Sequence, residues 1–175
     1  MMILDIARLL LFPALMAFAA ASDLFTMTIS NRVSLALVGG FLGLAVLGGM
    51  GLADIMAHVA AGAAILAVAF ACFAFGWIGG GDAKIAAAAA LWFGFAHLLD
   101  YLLYASLVGG ALTLLLLQFR HWPLPWSLGG QTWLLRLHDK ETGIPYGIAL
   151  AVGALMIYPE TDWIKAVDLT RFAMH

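Results

Sequence analysis

The chain has 175 residues, of which 65% are hydrophobic and only 10% charged, with a mean hydropathy of +1.03 and a formal net charge of −2. That composition lies far from the usual range of soluble domains and predicts an integral membrane protein. Its few Lys and Arg are scattered and form no basic stripe, which argues against nucleic-acid binding, and the single cysteine, Cys72, allows neither an internal disulfide nor a cysteine pair for zinc.

Apolar runs long enough for membrane helices, about 20 residues each, fall near 3–22, 33–53, 55–78, 83–99, 101–119 and 144–158. They predict one all-α domain over 1–175 with six transmembrane helices. The first run contains Pro13, which a membrane helix tolerates when neighbours satisfy the freed carbonyl. It ends Ala19-Ala20-Ala21-Ser22, a sequence like a signal-peptide cleavage site. Asp5 and a lone Arg8 make a poor basic leader, so the run reads as a retained span.

A short polar hinge, Ser22 to Arg32, follows, with Asp23 at its start and Asn31 near its end. After the third run comes Phe75-Gly76-Trp77-Ile78-Gly79-Gly80-Gly81-Asp82-Ala83-Lys84. The glycines permit a tight turn and close backbone approach, and Asp82 falls at the N-terminus of the next helix. By itself this is a glycine turn with a capping acid. Two crossings separate Asp23 from Asp82, so six spans bring both acids out on one membrane face. Segment 120–143 joins them there. That face carries Arg32, Lys84, Arg120, Arg136 and Lys140, against Arg8, Lys165 and Arg171 opposite, which orients it to the cytoplasm. Asp54 and Asp100 fall on the other side, Asp100 marking the expected division between the fourth and fifth spans.

The third and fourth spans are rich in small residues, at Ala60 to Ala64 and Ala86 to Ala90. Such runs allow close helix packing in lipid, and they also leave room for a groove that would take a substrate's own apolar helix. Segment 120–143 mixes Trp122, Pro123, Pro125, Trp126, Gly129, Gly130 and Trp133 with Arg136, His138, Asp139, Lys140 and Glu141. This suits a loop at the lipid headgroups, with Gln131 to His138 as a short interfacial helix and a lid over the acids as the other use. The five histidines, at 58, 97, 121, 138 and 175, show no metal-binding spacing, so no metal site is expected.

Three separated motifs together resemble the type IV prepilin peptidase family of membrane aspartyl proteases. Asp23 is followed by Ile29-Ser30-Asn31, where the family has I-P-N. Gly79-Gly80-Gly81-Asp82-Ala83-Lys84 matches G-x-G-D-x-K, and Ile144-Pro145-Tyr146-Gly147 matches a Pro-aromatic-Gly entry to the last span. Ser30 in place of proline is a departure that changes turn rigidity without removing a catalytic atom. Larger members also carry an N-terminal domain with cysteine pairs and a methyltransferase activity. Lacking those pairs, the chain looks most like the short peptidases of Flp/Tad pilus systems.

The resemblance implies a bacterial inner-membrane protein that cleaves prepilins and pseudopilins at the cytoplasmic face, in contact with lipid and without a cofactor. Asp23 and Asp82 would be the catalytic pair, supported by Gly79, Gly81, Lys84, Asn31, Pro145 and Tyr146. Lys84 sits about 200° around a helix from Asp82, so it is expected to reach toward headgroups and not to the acids. Two alternatives use the same acids: a presenilin-like intramembrane protease, whose first acid lies inside a span, and a small proton- or cation-coupled transporter.

Overall fold

The computed structural model describes residues 2–124 and 130–167. Pro125, Trp126, Gly129, Arg171 and His175, which enter the sequence reading, lie outside the described residues. The elements are α1 (Met2–Thr26), α2 (Asn31–Leu47), α3 (Leu52–Ala74), α4 (Gly80–Phe119), α5 (Thr132–His138), α6 (Tyr146–Ile157), a 3-10 turn (Tyr158–Glu160) and α7 (Asp162–Lys165). No strand occurs among the described residues. Three helices, α1, α3 and α4, are long and apolar enough to cross a membrane, while α2 and the segment Tyr146–Glu160 are shorter apolar helices.

Two boundaries differ from the sequence expectation. Helix α1 runs beyond residue 22, so Asp23 lies inside its last turns instead of after it. The polar side chains there do not end the helix because they bond locally: the Thr26 hydroxyl donates to the Ser22 carbonyl at 2.7 Å, and the Ser22 hydroxyl to the Thr28 carbonyl at 2.8 Å. Met27 ends it, taking the left-handed conformation (φ 56°) while its amide bonds the Asp23 carbonyl at 2.8 Å.

The second difference is in α4. The expected division at Asp100 is absent, since an exposed polar side chain does not break a helix. The break is at Gly94, with φ 57° and ψ −169°. A Cβ there would lie 3.0 Å from the His58 ring, so the site excludes side chains by conformation and by space. Helix α4 is therefore two arms, 80–93 and 95–119.

The arms run in opposite directions. Gly81 at the start of the first arm abuts Ile29, and Gly109, just past the middle of the second, abuts Tyr146. Ile29 and the residue after Tyr146, Gly147, meet at Asp23, so the second arm returns to the level at which the first begins, and Gly94 lies at the far end. Helix α6 descends beside the second arm, where Gly153 lies against the Ala105 backbone.

The first arm of α4 is the centre of the bundle, with the run from Ala86 to Ala90 and the rings of Trp92 and Phe93 all buried. Small residues let the backbones close up, as where Gly62 of α3 meets the Ala87 carbonyl and Leu91. The end remote from Asp23 is closed by rings. Phe12 stacks on Tyr158 at 4.5 Å and packs on Trp92 at 5.0 Å, and Trp92 packs on Trp163 at 5.1 Å. The indoles of Trp92 and Trp163 donate to the carbonyls of Leu37 and Trp92, so these buried polar groups are satisfied.

Candidate active site

Three helix ends meet around the two acids. Gly79 is the N-cap of α4, and Asp82, three residues on, bonds back to the Gly79 amide. That is the reach of a third-position acid in a capping box, so Asp82 is not itself the cap residue. A Cβ on Gly79 would lie 3.0 Å from Asp82 Oδ2, and one on Gly81 would lie 3.3 Å from Ile29 Cβ. These two glycines hold the turn against the acid and the hinge.

Asp23 is brought to the start of α6. The Gly147 amide donates to Asp23 Oδ2 at 2.7 Å, using one of the amides that a helix leaves unpaired in its first turn. A Cβ on Gly147 would come 2.8 Å from the same oxygen and 2.7 Å from Ile29 Cδ1, so this close approach needs glycine. Asp23 and Asp82 interact electrostatically with each other. Each carboxylate thus meets one of the amides that a helix leaves unpaired at its N-terminus.

The remaining expected site residues form the frame. Lys84 does not reach only toward headgroups: its Nζ donates to Asn31 Oδ1 at 2.8 Å, tying the start of α2 to the first turn of α4. Ser30, which replaces the family's proline, is the N-cap of α2 and accepts from the Arg32 amide at 3.3 Å. The departure from the motif therefore exchanges a rigid turn for a capping oxygen. Pro145 is fully buried and is the N-cap of α6, fixing the entry that aims Gly147 at Asp23. Tyr146 packs on Gly109, and its hydroxyl is 3.2 Å from Thr113 Oγ1.

Three residues escape the sequence reading. Gly147 stands in a motif there without a role of its own. Arg120 counts only as a charge for orientation, yet it is buried and donates to the carbonyls of Leu137 (2.8 Å), Thr142 (2.9 Å) and Gly143 (3.0 Å). It pins the chain just before Pro145. Tyr101 is fully buried on the second arm of α4 and interacts electrostatically with Asp82, and its hydroxyl has no hydrogen-bond partner among the described residues. No sequence signal marks it.

Helix α5 covers the end of α1. Trp133 meets Phe25 edge-on at 5.6 Å, and Arg136 makes a long 3.4 Å bond to the Phe25 carbonyl. Beside the acids, α2 and α3 diverge over the first arm of α4 and leave an apolar groove of about 660 Å³, with Asn31 and Lys84 at its polar end and Ala63, Ala87 and Ala88 among its lining. No cluster of three or more His, Cys, Asp or Glu suited to a metal is present among the described residues.

The family model described as the type IV leader peptidase family matches residues 10–114, more than half of the chain. The match takes in Asp23, Asn31 and the whole of Gly79 to Lys84, and stops short of Pro145, Tyr146 and Gly147. No curated protein and no solved structure matches the chain. Its sequence motifs and the matched region agree, and the chain belongs to the type IV leader peptidase family, the prepilin peptidases.

Proposed function

We propose that the chain is an aspartic prepilin leader peptidase, hydrolysing the leader of Flp-type prepilins and pseudopilins at the cytoplasmic face of the bacterial inner membrane. The observation that carries the reading is the meeting of Asp23 and Asp82, 59 positions apart in sequence, within electrostatic range and each bonded to a helix-terminal amide. One carboxylate takes a proton from water, whose oxygen attacks the scissile carbonyl, while the other carboxyl protonates the carbonyl oxygen. Collapse of the tetrahedral species transfers a proton to the leaving amine and releases a new carboxyl end. Two carboxyls that act on one water avoid ionising together by sharing a proton, and titration then belongs to the pair.

Six spans supply the topology of this reading, with the two arms of α4 counted separately. The groove between α2 and α3 supports a seat for the substrate's apolar segment, because its small-residue floor admits another helix at close range. Asp23 lies inside α1 but only three residues from its end, which favours an acid at the membrane edge over one at mid-span.

Co-expression with candidate prepilins tests the function. A size shift that depends on the chain supports it. Proton-linked cation flux in proteoliposomes, with no cleavage of any prepilin, would place the acids in a transporter instead.

A further inference from the structure

The end of the bundle remote from Asp23 and Asp82 holds a polar feature that hydrolysis does not use. Arg8 precedes Asp23 by 15 positions on α1, about 22 Å along the helix axis. Its side chain is 13% exposed, and its ionic contact is Asp5 Oδ1 at 3.9 Å, too long for a hydrogen bond. The Nε is buried and has no hydrogen-bond partner among the described residues. A guanidinium has five donors in a planar fork, and buried donors are ordinarily matched by acceptors. Gly48 lies against it: a Cβ there would come 2.6 Å from Arg8 Nη2 and 2.7 Å from the Leu44 carbonyl oxygen.

Arg8 lines a cavity of about 240 Å³ together with His58, His97, Asp162, Phe93 and Trp163. His58 is held as wall by its Nδ1 contact with the Leu91 carbonyl at 2.8 Å. Arg8 is the fixed cation of the lining. Asp162 lines it too, so a ligand bearing only negative charge meets an acid as well as a base. A ligand with both signs meets a partner for each. The volume is below the range of about 300–1,000 Å³ that takes a drug-sized molecule, so the cavity suits a headgroup and not a whole amphiphile. Beside the turn that lines it, Val46, Leu47, Leu52 and Met56 are exposed apolar side chains, the surroundings that acyl chains need.

We propose that this cavity binds the headgroup of a zwitterionic phospholipid, with the phosphodiester on the Arg8 fork beside His97 and the ammonium toward Asp162 and the Trp163 ring. Arg8 suits the phosphate because its fork can donate twice to one group. An ammonium gains from both a carboxylate and an indole face. The site is independent of peptide hydrolysis and lies at the opposite end of the bundle.

The test uses the purified full chain in detergent, with native mass spectrometry for retained lipid and thermal unfolding for stabilisation. The probes are phosphatidylethanolamine, phosphatidylglycerol with the same acyl chains, and water-soluble glycerophosphoethanolamine. Phosphatidylethanolamine should be retained and should raise the unfolding temperature, with phosphatidylglycerol weaker by about tenfold or more, the scale of one lost charged partner. Arg8→Gln should abolish the retention, and Arg8→Lys should restore part of it. Asp162 is exposed, so Asp162→Asn should insert normally while losing the preference between the two lipids. Equal retention of both lipids by the wild type, or an unchanged preference in Asp162→Asn, overturns the proposal. Binding of glycerophosphoethanolamine as tight as that of the lipid overturns its assignment to a membrane lipid.

Discussion

The amide of Gly147 donates to Asp23 Oδ2 at 2.7 Å across 124 positions of sequence, closing α6 onto the end of α1. The bond needs glycine, because a Cβ would meet the same oxygen at 2.8 Å and Ile29 Cδ1 at 2.7 Å. Gly147→Ala should therefore displace the Asp23 carboxylate while leaving the helices in place. Prepilin processing is expected to fall by about tenfold or more, as misplacement of a catalytic group does, with little change in membrane abundance. Processing assays and quantitative blotting of the same cells check this.

Gly94 is a structural counterpart. Its positive φ with ψ −169° is a conformation almost confined to glycine, costing an L-residue about 1–3 kcal/mol, and the His58 ring occupies the space of a Cβ. Gly94→Ala should lower the unfolding temperature and the abundance of the protein. The added change His58→Ala should recover the steric part of the loss and leave the conformational part, which paired thermal melts measure.

Arg120 holds three carbonyls of the segment leading into Pro145. Arg120→Gln leaves carbonyls short of a donor, at about 1–3 kcal/mol for a buried group left unpaired. Limited proteolysis should cut within 120–143 faster than in the wild type, and prepilin processing should drop several-fold. A protease pattern identical to wild type would remove Arg120 from the positioning of α6.

How much of this is open to reading from sequence depends on range. Asp82 is visible because its glycines and its helix start are neighbours in the chain. Asp23 can be paired with it by counting crossings, since that count needs only the number of apolar runs. Hydropathy misplaces the break in α4 to Asp100 because it registers charge and not backbone conformation, whereas Gly94 is one glycine among many until φ and the His58 ring are known. Arg120 and Lys84 read as surface charges. Their partners, the carbonyls of 137–143 and Asn31, lie far along the chain, and no local pattern announces such bonds. Gly147 likewise acquires its role only when α6 folds against α1.

The reversal at Gly94 makes a topological expectation. Reporters fused after Arg32, Lys84 and Lys140 should all report one membrane face, and one fused after Asp54 the other. A single cysteine placed by Ala96→Cys, in a Cys72→Ala background, should label from the same side as the Asp54 fusion. Labelling from the side of Lys84 would contradict the hairpin of the two α4 arms and with it the six-span arrangement.

The most direct measurement is cleavage by Asp23→Asn and Asp82→Asn, read from the N-terminus of the pilin recovered from co-expressing cells. Each substitution keeps the side-chain shape and removes an ionisable carboxyl. Each should insert at normal abundance while processing falls by on the order of 10² or more, the lower bound for losing acid–base catalysis. The double variant should be little worse than either single one, as expected for groups that act as a unit, and Asp54→Asn and Asp100→Asn should retain activity. A mature pilin N-terminus produced at the wild-type rate by either Asp23→Asn or Asp82→Asn would contradict the two-aspartate mechanism.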